Sequence, residues 1–166
     1  MASGLPSTPR SRAVQQALEQ AGVAFEWRVC RKPTRTAAEA AAALGVEVEA
    51  IVKSLIFLAD ETPVLVLVAG HHRADPTRLS AVLGRRVRQA RGEEVVRVTG
   101  FVPGGVPPCG HAERLPAFCD RALLTPARVW AAGGAPAEMF SLRPEDLVRV
   151  TNAQVIDLAE DSARSR

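Results

Sequence analysis

One lysine stands in a stretch of sequence that is otherwise typical of a buried strand. Lys53 lies within residues 51–57, where Ser54 is the other polar residue. A charged amine there must meet an anion, a carbonyl oxygen or solvent, because an unpaired buried ammonium is very costly. Two interpretations remain open: a side chain that carries its charge out to solvent at the strand end, and an electrostatic clamp on a phosphate or an ester. Lys32 and Lys53 are the two lysines among 21 basic residues, which slightly favours the second interpretation.

A long loop rich in Gly and Pro is the second candidate for chemistry. Residues 100–116 form this loop, and residues 104–110 read Gly-Gly-Val-Pro-Pro-Cys-Gly. Loops of this length are uncommon in a compact domain and are usually functional or disordered. Glycines let backbone N–H groups approach a ligand and point at a developing oxyanion, and the prolines stiffen the loop around them. The segment matches neither GxGxxG nor GxxxxGK[ST], so a surface loop of turn residues is an equal alternative.

Cys109, His111 and Cys119 are of the residue types found in metal sites and in thiol enzymes. The spacing of Cys109 and His111 does not match the common structural zinc sites, and a fourth ligand is missing nearby. A Cys109 nucleophile with His111 as its base lacks a group to orient the pair. We therefore expect no metal and no cofactor. Cys30, Cys109 and Cys119 include no CxxC pair, which indicates a reducing compartment rather than a disulfide framework.

Other polar residues receive structural interpretations. The pair His71-His72 follows an apolar run and is interpreted as a polar strand end. Asp75 precedes Pro76, which is the pattern of a helix N-cap. No Ser/His/Asp set and no pair of carboxylates can be picked out from spacing alone.

The elements that must position these residues centre on one β-hairpin. Residues 51–59 and 63–69 are two apolar, β-branched runs separated by Asp60-Glu61-Thr62, which predicts a hairpin buried on both faces. Further strands are predicted near residues 24–29, 86–90, 117–119, 128–132, 138–142 and 154–158. Helices are predicted at residues 13–21, 36–44, 75–83 and 93–99 and from residue 144. The predicted fold class is α+β (mixed α/β): one domain with a central, mostly antiparallel or mixed sheet flanked by helices.

Length and composition agree with a single domain. The chain has 166 residues, of which 47% are apolar and 23% charged, so it contains enough apolar material for a core. We predict a domain over residues 10–160, a flexible tail at residues 1–9 and a polar tail at residues 161–166. The longest apolar run, residues 63–69, is far shorter than the roughly 20 residues of a membrane-spanning helix. With no signal-peptide pattern at the start, a cytoplasmic protein without a membrane partner is expected.

The charge of the chain limits the class of partner. The net charge is +3, which is compatible with a nucleic-acid partner but well short of a polybasic binder. The preference for arginine over lysine is typical of a GC-rich coding sequence and is not by itself a phosphate-binding surface. Aromatic residues make up 4% of the chain, which argues against a base-stacking platform. Any affinity for nucleic acid is therefore expected to be limited, with a weak salt dependence.

Six segments, in this order, resemble the YbaK/ProX family of aminoacyl-tRNA deacylases, the free-standing relatives of the editing domain inserted in bacterial prolyl-tRNA synthetases. They are residues 36–41 with Leu44-Gly45, 51–55, 63–68 with Gly70, 73–75 with Leu79, the loop 100–110, and 142–147. Each segment is weak alone, but six in register over about residues 34–158 are specific. The fold of this family, a mixed α/β domain, agrees with the prediction from the residues.

The resemblance implies hydrolysis of the ester that joins a wrong amino acid to the 3′ end of a tRNA. The expected substrate is tRNA(Pro), or a related tRNA, carrying a small wrong amino acid such as Cys, Ala, Ser or Thr. Lys53 is then the catalytic residue, which holds the terminal nucleotide or polarises the ester, while loop N–H groups stabilise the oxyanion. The resemblance implies these substrate-binding residues: Thr36, Gly104, Gly105, Val106, Pro107, Pro108, Cys109, Gly110, Gly133 and Gly134.

The resemblance also bears on partners. The chain carries no synthetase catalytic domain, so we expect editing in trans, on the 3′ end of a mischarged tRNA and with prolyl-tRNA synthetase as a candidate partner. A monomer and a homodimer both remain open. The alternative function is a catalytically inactive tRNA- or synthetase-binding module of the same fold, although the presence of Lys53 and the glycine loop argues against it.

Two positions depart from the pattern of the family. Cys109 stands where the family commonly has Phe, which predicts a smaller pocket wall. Residues 135–138 contain no histidine, whereas some branches have one after the turn that corresponds to Gly133-Gly134. A pocket that selects by size discriminates by only about 1–3 kcal/mol per methylene, so the preferred amino acid is not carried over from those branches.

Overall fold

The computed structural model describes residues 4–158, which form two β-sheets with helices packed around them. The strands are β1 (Glu26–Val29), β2 (Val52–Ala59), β3 (Thr62–Ala69), β4 (Val87–Gln89), β5 (Ala117–Asp120), β6 (Val129–Ala132), β7 (Glu138–Leu142) and β8 (Gln154–Ile156). The helices are α1 (Pro9–Gln20), α2 (Ala37–Leu44), α3 (Pro76–Leu83), α4 (Gly92–Thr99) and α5 (Pro144–Thr151), with 3-10 turns at Val48–Ala50 and Arg121–Leu124.

The eight strands of the described region divide between a five-stranded and a three-stranded sheet. The larger sheet has the order β4-β2-β3-β5-β8, and the smaller one has the order β1-β7-β6. Strand β3 pairs in parallel with β5, and β5 with β8, while the other neighbours are antiparallel. A single bridge between Ile51 and Trp130 joins the two sheets. The predicted mixed α/β fold class is confirmed, and the division into two sheets is a feature that the sequence did not reveal.

The predicted hairpin forms the centre of the larger sheet. Strands β2 and β3 pair over their full length, and because Ala59 pairs with Thr62, the loop has two residues rather than the three expected. Asp60 and Glu61 have φ angles of 47° and 67°, the left-handed pair that a tight type I′ turn requires. Apolar side chains from both faces of the hairpin are buried, as the sequence predicts, and they contribute to two separate core clusters.

The smaller sheet is fixed by an aromatic stack and a buried carboxylate. The rings of Trp27 and Phe140 stack with their centroids 5.8 Å apart. Glu138, which is 3% exposed, accepts hydrogen bonds from the indole N–H of Trp27 at 3.2 Å and from the backbone N–H and hydroxyl of Ser7 at 2.9 and 2.6 Å. These bonds tie the chain just before α1 to strand β7.

At its N-terminal end the described structure begins before the predicted domain boundary at residue 10. Helix α1 begins at Pro9 with Thr8 as its N-cap, and Ser7 is bonded to Glu138, so the ordered structure starts a few residues before the predicted boundary at residue 10. Residues 1–3 and the predicted tail at 161–166 lie outside the described residues. Within residues 4–158, every helix is too short or too polar to cross a lipid bilayer.

Replacing the fully buried ring in the smaller sheet tests this account of the core. Phe140→Ala removes the stack on Trp27 and leaves a cavity, so we expect it to lower the free energy of unfolding by about 3–5 kcal/mol. Leu124→Ala, at a side chain that is 40% exposed, is the control and should cost well under half as much. Urea denaturation of both variants measures the difference, and equal losses would contradict the assignment of Phe140 to the core.

Candidate active site

Lys53 lies where strand β2 has an open edge. Strand β4 pairs with β2 from Phe57 to Ala59, and β6 meets it through the bridge at Ile51. Between these two points, on the side away from β3, no strand of the described region pairs with β2. The structure therefore leaves a gap between the two sheets, and Lys53 lies beside it on a strand whose opposite edge is fully paired.

The ammonium of Lys53 is held by a backbone carbonyl. Its Nζ donates a hydrogen bond to the carbonyl oxygen of His72, in the turn that follows β3. Burial lowers the pKa of Lys53 from its usual value, the nearby Arg73 lowers it further, and Asp120 opposes both. Both interpretations of Lys53 given above, a charge carried out to solvent and a clamp on a phosphate or an ester, remain open, because the half-buried amine binds a neutral carbonyl and its charge is not paired with a carboxylate by that bond.

The turn that binds Lys53 is itself fixed by a buried carboxylate. Asp120, at the end of β5, is 2% exposed. Its Oδ2 accepts hydrogen bonds from the backbone N–H of Ala69 at 3.1 Å and from Nδ1 of His72 at 2.8 Å, and its Oδ1 accepts from the N–H of Ala122 at 3.1 Å. The N–H of His72 also bonds back to the Ala69 carbonyl at 2.9 Å. Asp120 therefore determines where the carbonyl that holds Lys53 lies.

Neither Asp120 nor His72 was among the predicted site residues. The sequence pattern predicts a polar strand end at His71-His72, and His72 does lie just beyond β3. Its partner Asp120 is 48 residues further along the chain, on a strand that is parallel to β3 and adjacent to it. A lone acidic residue at the end of an apolar strand is the one signal the sequence carries for this pair.

A cavity of about 260 Å³ opens beside Lys53. Its wall brings together residues that are distant in sequence, and four of them were predicted as site residues: Lys53, Thr36, Gly104 and Val106. The other lining residues are Thr34, Arg35, Ala37, Ile51, Val52, Ser54, Leu55, Ala132 and Met139. Thr36 is there because it is the N-cap of α2, where its hydroxyl accepts the N–H of Glu39. We refer to this space as the Lys53 cavity.

A second cavity of about 380 Å³ adjoins the first and shares five lining residues with it: Thr34, Arg35, Gly104, Ala132 and Met139. Two further predicted residues, Gly105 and Gly134, line the second cavity together with Arg10 and Phe101. Gly104 has a φ of 85°, and a Cβ there would lie 3.0 Å from the carbonyl oxygen of Arg35. Glycine is therefore required where the loop passes closest to the segment before α2.

The remaining predicted residues lie elsewhere. Pro108, Cys109 and Gly110 line a separate cavity of about 360 Å³ against α1 and α5. The Pro107 carbonyl accepts a hydrogen bond from Nε2 of His111 at 2.7 Å. Gly133 packs against the indole of Trp27. The structure thus divides the glycine and proline loop, with residues 104–106 at Lys53 and residues 108–110 against the helices.

The edge of strand β2 offers a backbone donor near Lys53, whereas one amide of the glycine loop is already used within the loop. The N–H of Gly105 donates to the Val102 carbonyl at 3.0 Å, so that amide is already occupied. Just before β2, the Ile51 carbonyl accepts from the N–H of Gly70 in the direction of β3, while within β2 the Ile56 carbonyl accepts from the N–H of Ala90 on the opposite side. Because strand amides alternate in direction, the N–H of Ser54 points toward the open edge. The hydroxyl of Ser54 is buried and has no hydrogen-bond partner among residues 4–158.

The thiol and metal readings gain no support in the part of the chain that the structure describes. No group of three or more His, Cys, Asp or Glu side chains within residues 4–158 is arranged to hold a metal ion. Burial raises the pKa of Cys109 to about 12, with Arg114 opposing weakly, and burial lowers the pKa of His111. A thiol with this pKa remains protonated at neutral pH, whereas nucleophilic cysteines are thiolates.

The raised pKa of Cys109 predicts slow alkylation in the folded protein. At pH 8 a thiol with a pKa near 12 is a thiolate about 0.01% of the time, against about a quarter for an unperturbed cysteine. We expect iodoacetamide to modify Cys109 at least 100-fold more slowly in buffer than in 8 M urea, as measured by peptide mass spectrometry. Equal rates in the two conditions would contradict the buried, protonated thiol.

Comparison with known proteins identifies the family of this chain. Residues 31–150 match the family model described as "Aminoacyl-tRNA editing domain". A crystal structure described as a candidate trans-editing enzyme for prolyl tRNA synthetase superimposes with a TM-score of 0.87 at 46% identity, covering 93% of this chain and 99% of that one.

Two proteins from Bacillus subtilis are also similar to this chain in sequence. The protein YwhH is 30% identical over 128 residues, which are 76% of this chain and 82% of YwhH. Proline–tRNA ligase is 37% identical over 102 residues, which are 61% of this chain. This chain spans about a fifth of the length of the proline–tRNA ligases that it matches. The family predicted from the six sequence segments is confirmed: the chain belongs to the aminoacyl-tRNA editing domain family.

Proposed function

We propose that the protein is a trans-acting deacylase that hydrolyses the ester of mischarged tRNA in the cytoplasm, with tRNA(Pro) carrying Cys, Ala, Ser or Thr as its substrate. The observation that carries the proposal is the convergence of Lys53, Thr36, Gly104 and Val106 on one small cavity in an editing-domain chain. The description of the related crystal structure supports action in trans on prolyl-tRNA synthetase products.

The site offers an ammonium and backbone amides to an ester carbonyl. Lys53 lies in the wall of the cavity with its charge directed by the His72 carbonyl, so an ester oxygen can exchange with or join that carbonyl at the ammonium. The N–H of Ser54, at the open strand edge, is a further donor toward the same space. Donors fixed before the reaction stabilise charge that develops on the carbonyl oxygen, without any cost of reorganisation in the transition state.

The reaction is a hydrolysis in which water supplies the nucleophile. The water oxygen forms a bond to the ester carbon, and the carbonyl electrons move onto its oxygen, next to Lys53 and the Ser54 amide. The tetrahedral intermediate then collapses and breaks the bond to the ribose oxygen, which takes up the proton given up by the water. Free amino acid and a tRNA with a free terminal hydroxyl result. A hydroxyl of the substrate ribose can position the water, which suits a cavity whose wall contains no His, Asp or Glu.

The size and lining of the cavity support a small aminoacyl group. The wall is mostly apolar, with Ile51, Val52 and Met139 among its larger side chains. Met139 is 4% exposed and packs in a core cluster, so the wall on that side is firm. A firm apolar wall excludes larger side chains by overlap and separates small ones by about 1–3 kcal/mol per methylene.

Replacement of Lys53 is the direct test of the proposed function. Lys53→Ala should lower kcat/KM for the preferred mischarged tRNA by about 100-fold or more, the effect of removing one oxyanion donor. The measurement is release of Cys, Ala, Ser, Thr and Pro from separately charged tRNA(Pro), with circular dichroism to confirm folding. Arg85→Ala, on the exposed surface after α3, is the matched control and should retain full activity.

Each outcome of that panel has a distinct meaning. Selective release of one wrong amino acid, lost in Lys53→Ala, supports both the reaction and the role of Lys53. Full turnover by Lys53→Ala contradicts the role assigned to the lysine. Failure of the unmodified protein to release any amino acid from tRNA(Pro) contradicts the proposed substrate, and failure on other mischarged tRNAs as well contradicts the deacylase and favours a binding module.

Asp120→Asn tests whether the buried carboxylate positions Lys53. An asparagine has one acceptor oxygen for the three donors that Asp120 now binds, so the turn at His72 should shift. We expect kcat to fall about 10-fold or more while KM changes less than twofold, because binding of the tRNA is left intact. Asp146→Asn, at another buried carboxylate that is bonded to Arg143 and Arg149, is the control for a purely structural loss. If both variants lose activity only in proportion to their unfolded fraction, Asp120 has no positioning role.

A further inference from the structure

The second cavity holds two arginine side chains without an anionic partner. Arg10 and Arg35 both line it, and neither forms an ion pair with a carboxylate of residues 4–158. The guanidinium of Arg10 lies 5.8 Å from the centre of the Phe101 ring. The acidic residue of this cavity is Glu138, whose carboxylate is buried and already bound by Ser7 and Trp27. The cavity therefore presents unneutralised positive charge.

The cation-rich segment before α2 continues this charge to the surface. Arg31, Lys32 and Arg35 are exposed, and Arg31 and Lys32 also lack an ion-pair partner among the described residues. The segment is held against the β6–β7 turn by two backbone hydrogen bonds, from Cys30 to the Ala137 carbonyl at 2.7 Å and from Thr34 to the Pro136 carbonyl at 3.0 Å. These two bonds anchor the backbone that carries the three cations.

The position of this charge next to the Lys53 cavity determines what it can bind. The two cavities share the wall formed by Arg35 and Gly104, so a molecule whose ester lies at Lys53 continues into the second cavity. In an aminoacyl-tRNA the ester is attached to the terminal ribose, and the nearest anionic group of the substrate is the phosphodiester of that nucleotide. Arginine binds phosphate oxygens with its planar, bidentate geometry.

We propose that the second cavity binds the terminal nucleotide of the tRNA, with Arg10 and Arg35 contacting its phosphodiester groups and the Lys53 cavity taking the aminoacyl ester. This division of the site rests on the proposed function. It places the electrostatic contribution to RNA binding in a few localised cations rather than in the modest net charge of +3. Apolar contact for the nucleoside comes from Phe101, Val102 and Pro103 in the same wall.

The kinetic test compares a substrate with phosphates and one without. The variant is Arg10→Gln with Arg35→Gln, and the control is Arg85→Gln with Arg86→Gln, which removes the same charge at the far end of β2. For charged tRNA the first variant should raise KM about 10-fold or more with kcat within twofold, since it loses binding energy only. For the same amino acid esterified to adenosine, which carries no phosphate, it should behave as the unmodified protein.

The binding test does not depend on hydrolysis. An uncharged RNA hairpin ending in CCA is titrated against each protein by fluorescence anisotropy at several salt concentrations. Loss of two phosphate contacts should reduce the slope of log Kd against log salt by about 1.4, at about 0.7 per single-strand phosphate. The control pair should leave both the affinity and the slope unchanged.

These outcomes separate the two proposals. If no ester is hydrolysed but RNA binding still falls in the Arg10/Arg35 variant, the deacylase fails and the phosphate site stands. Unchanged RNA affinity and salt slope in that variant overturn the phosphate site, whatever the hydrolysis shows. An equal loss on charged tRNA and on the adenosine ester also overturns it, because the arginines would then act on the ester itself.

Discussion

The buried carboxylate of Asp120 is the interaction on which the arrangement around Lys53 depends. A carboxylate removed from water is tolerated only when donors surround it, and here two backbone amides and an imidazole fill that role. The same bonds connect the end of β5 to the turn after β3, and that turn supplies the carbonyl that holds the ammonium of Lys53. The hydrogen bonds that compensate for burying the Asp120 carboxylate therefore also fix the direction of the Lys53 ammonium.

The gap between the two sheets explains why this lysine has a cavity beside it. A strand in the centre of a sheet has neighbours on both sides, but on the side away from β3 the strands of the described region meet β2 only near its two ends. The open stretch leaves the Ser54 amide free to face the Lys53 cavity, and the loop at Gly104 closes the space from the other side. Site and fold are therefore linked: the gap between the two sheets is also the place where the Lys53 cavity opens.

Local sequence patterns predicted most of the helices and strands, but not the contacts between residues that are distant in sequence. The hairpin, the N-cap at Thr36 and the helix stops at Gly45 and Gly84 follow from turn and capping chemistry, which acts over a few residues. Lys53 stood out because a charge interrupts an apolar run. The pairing of His72 with Asp120 and the split of the loop between two cavities depend on parallel pairing and sheet curvature, which single-sequence patterns do not encode. The roles of the individual site residues remain predictions.

The close approach at Gly104 has a consequence for how substrate preference can change. On that side the Lys53 cavity is bounded by backbone, and any side chain at Gly104 would meet the Arg35 carbonyl. Variation in the accepted amino acid is then expected at other lining residues, such as Ala37 and Ala132. Such exchanges would resize the cavity without touching Lys53 or Asp120. The preferred amino acid can therefore change through residues that line the cavity, while Lys53 and Asp120 stay the same.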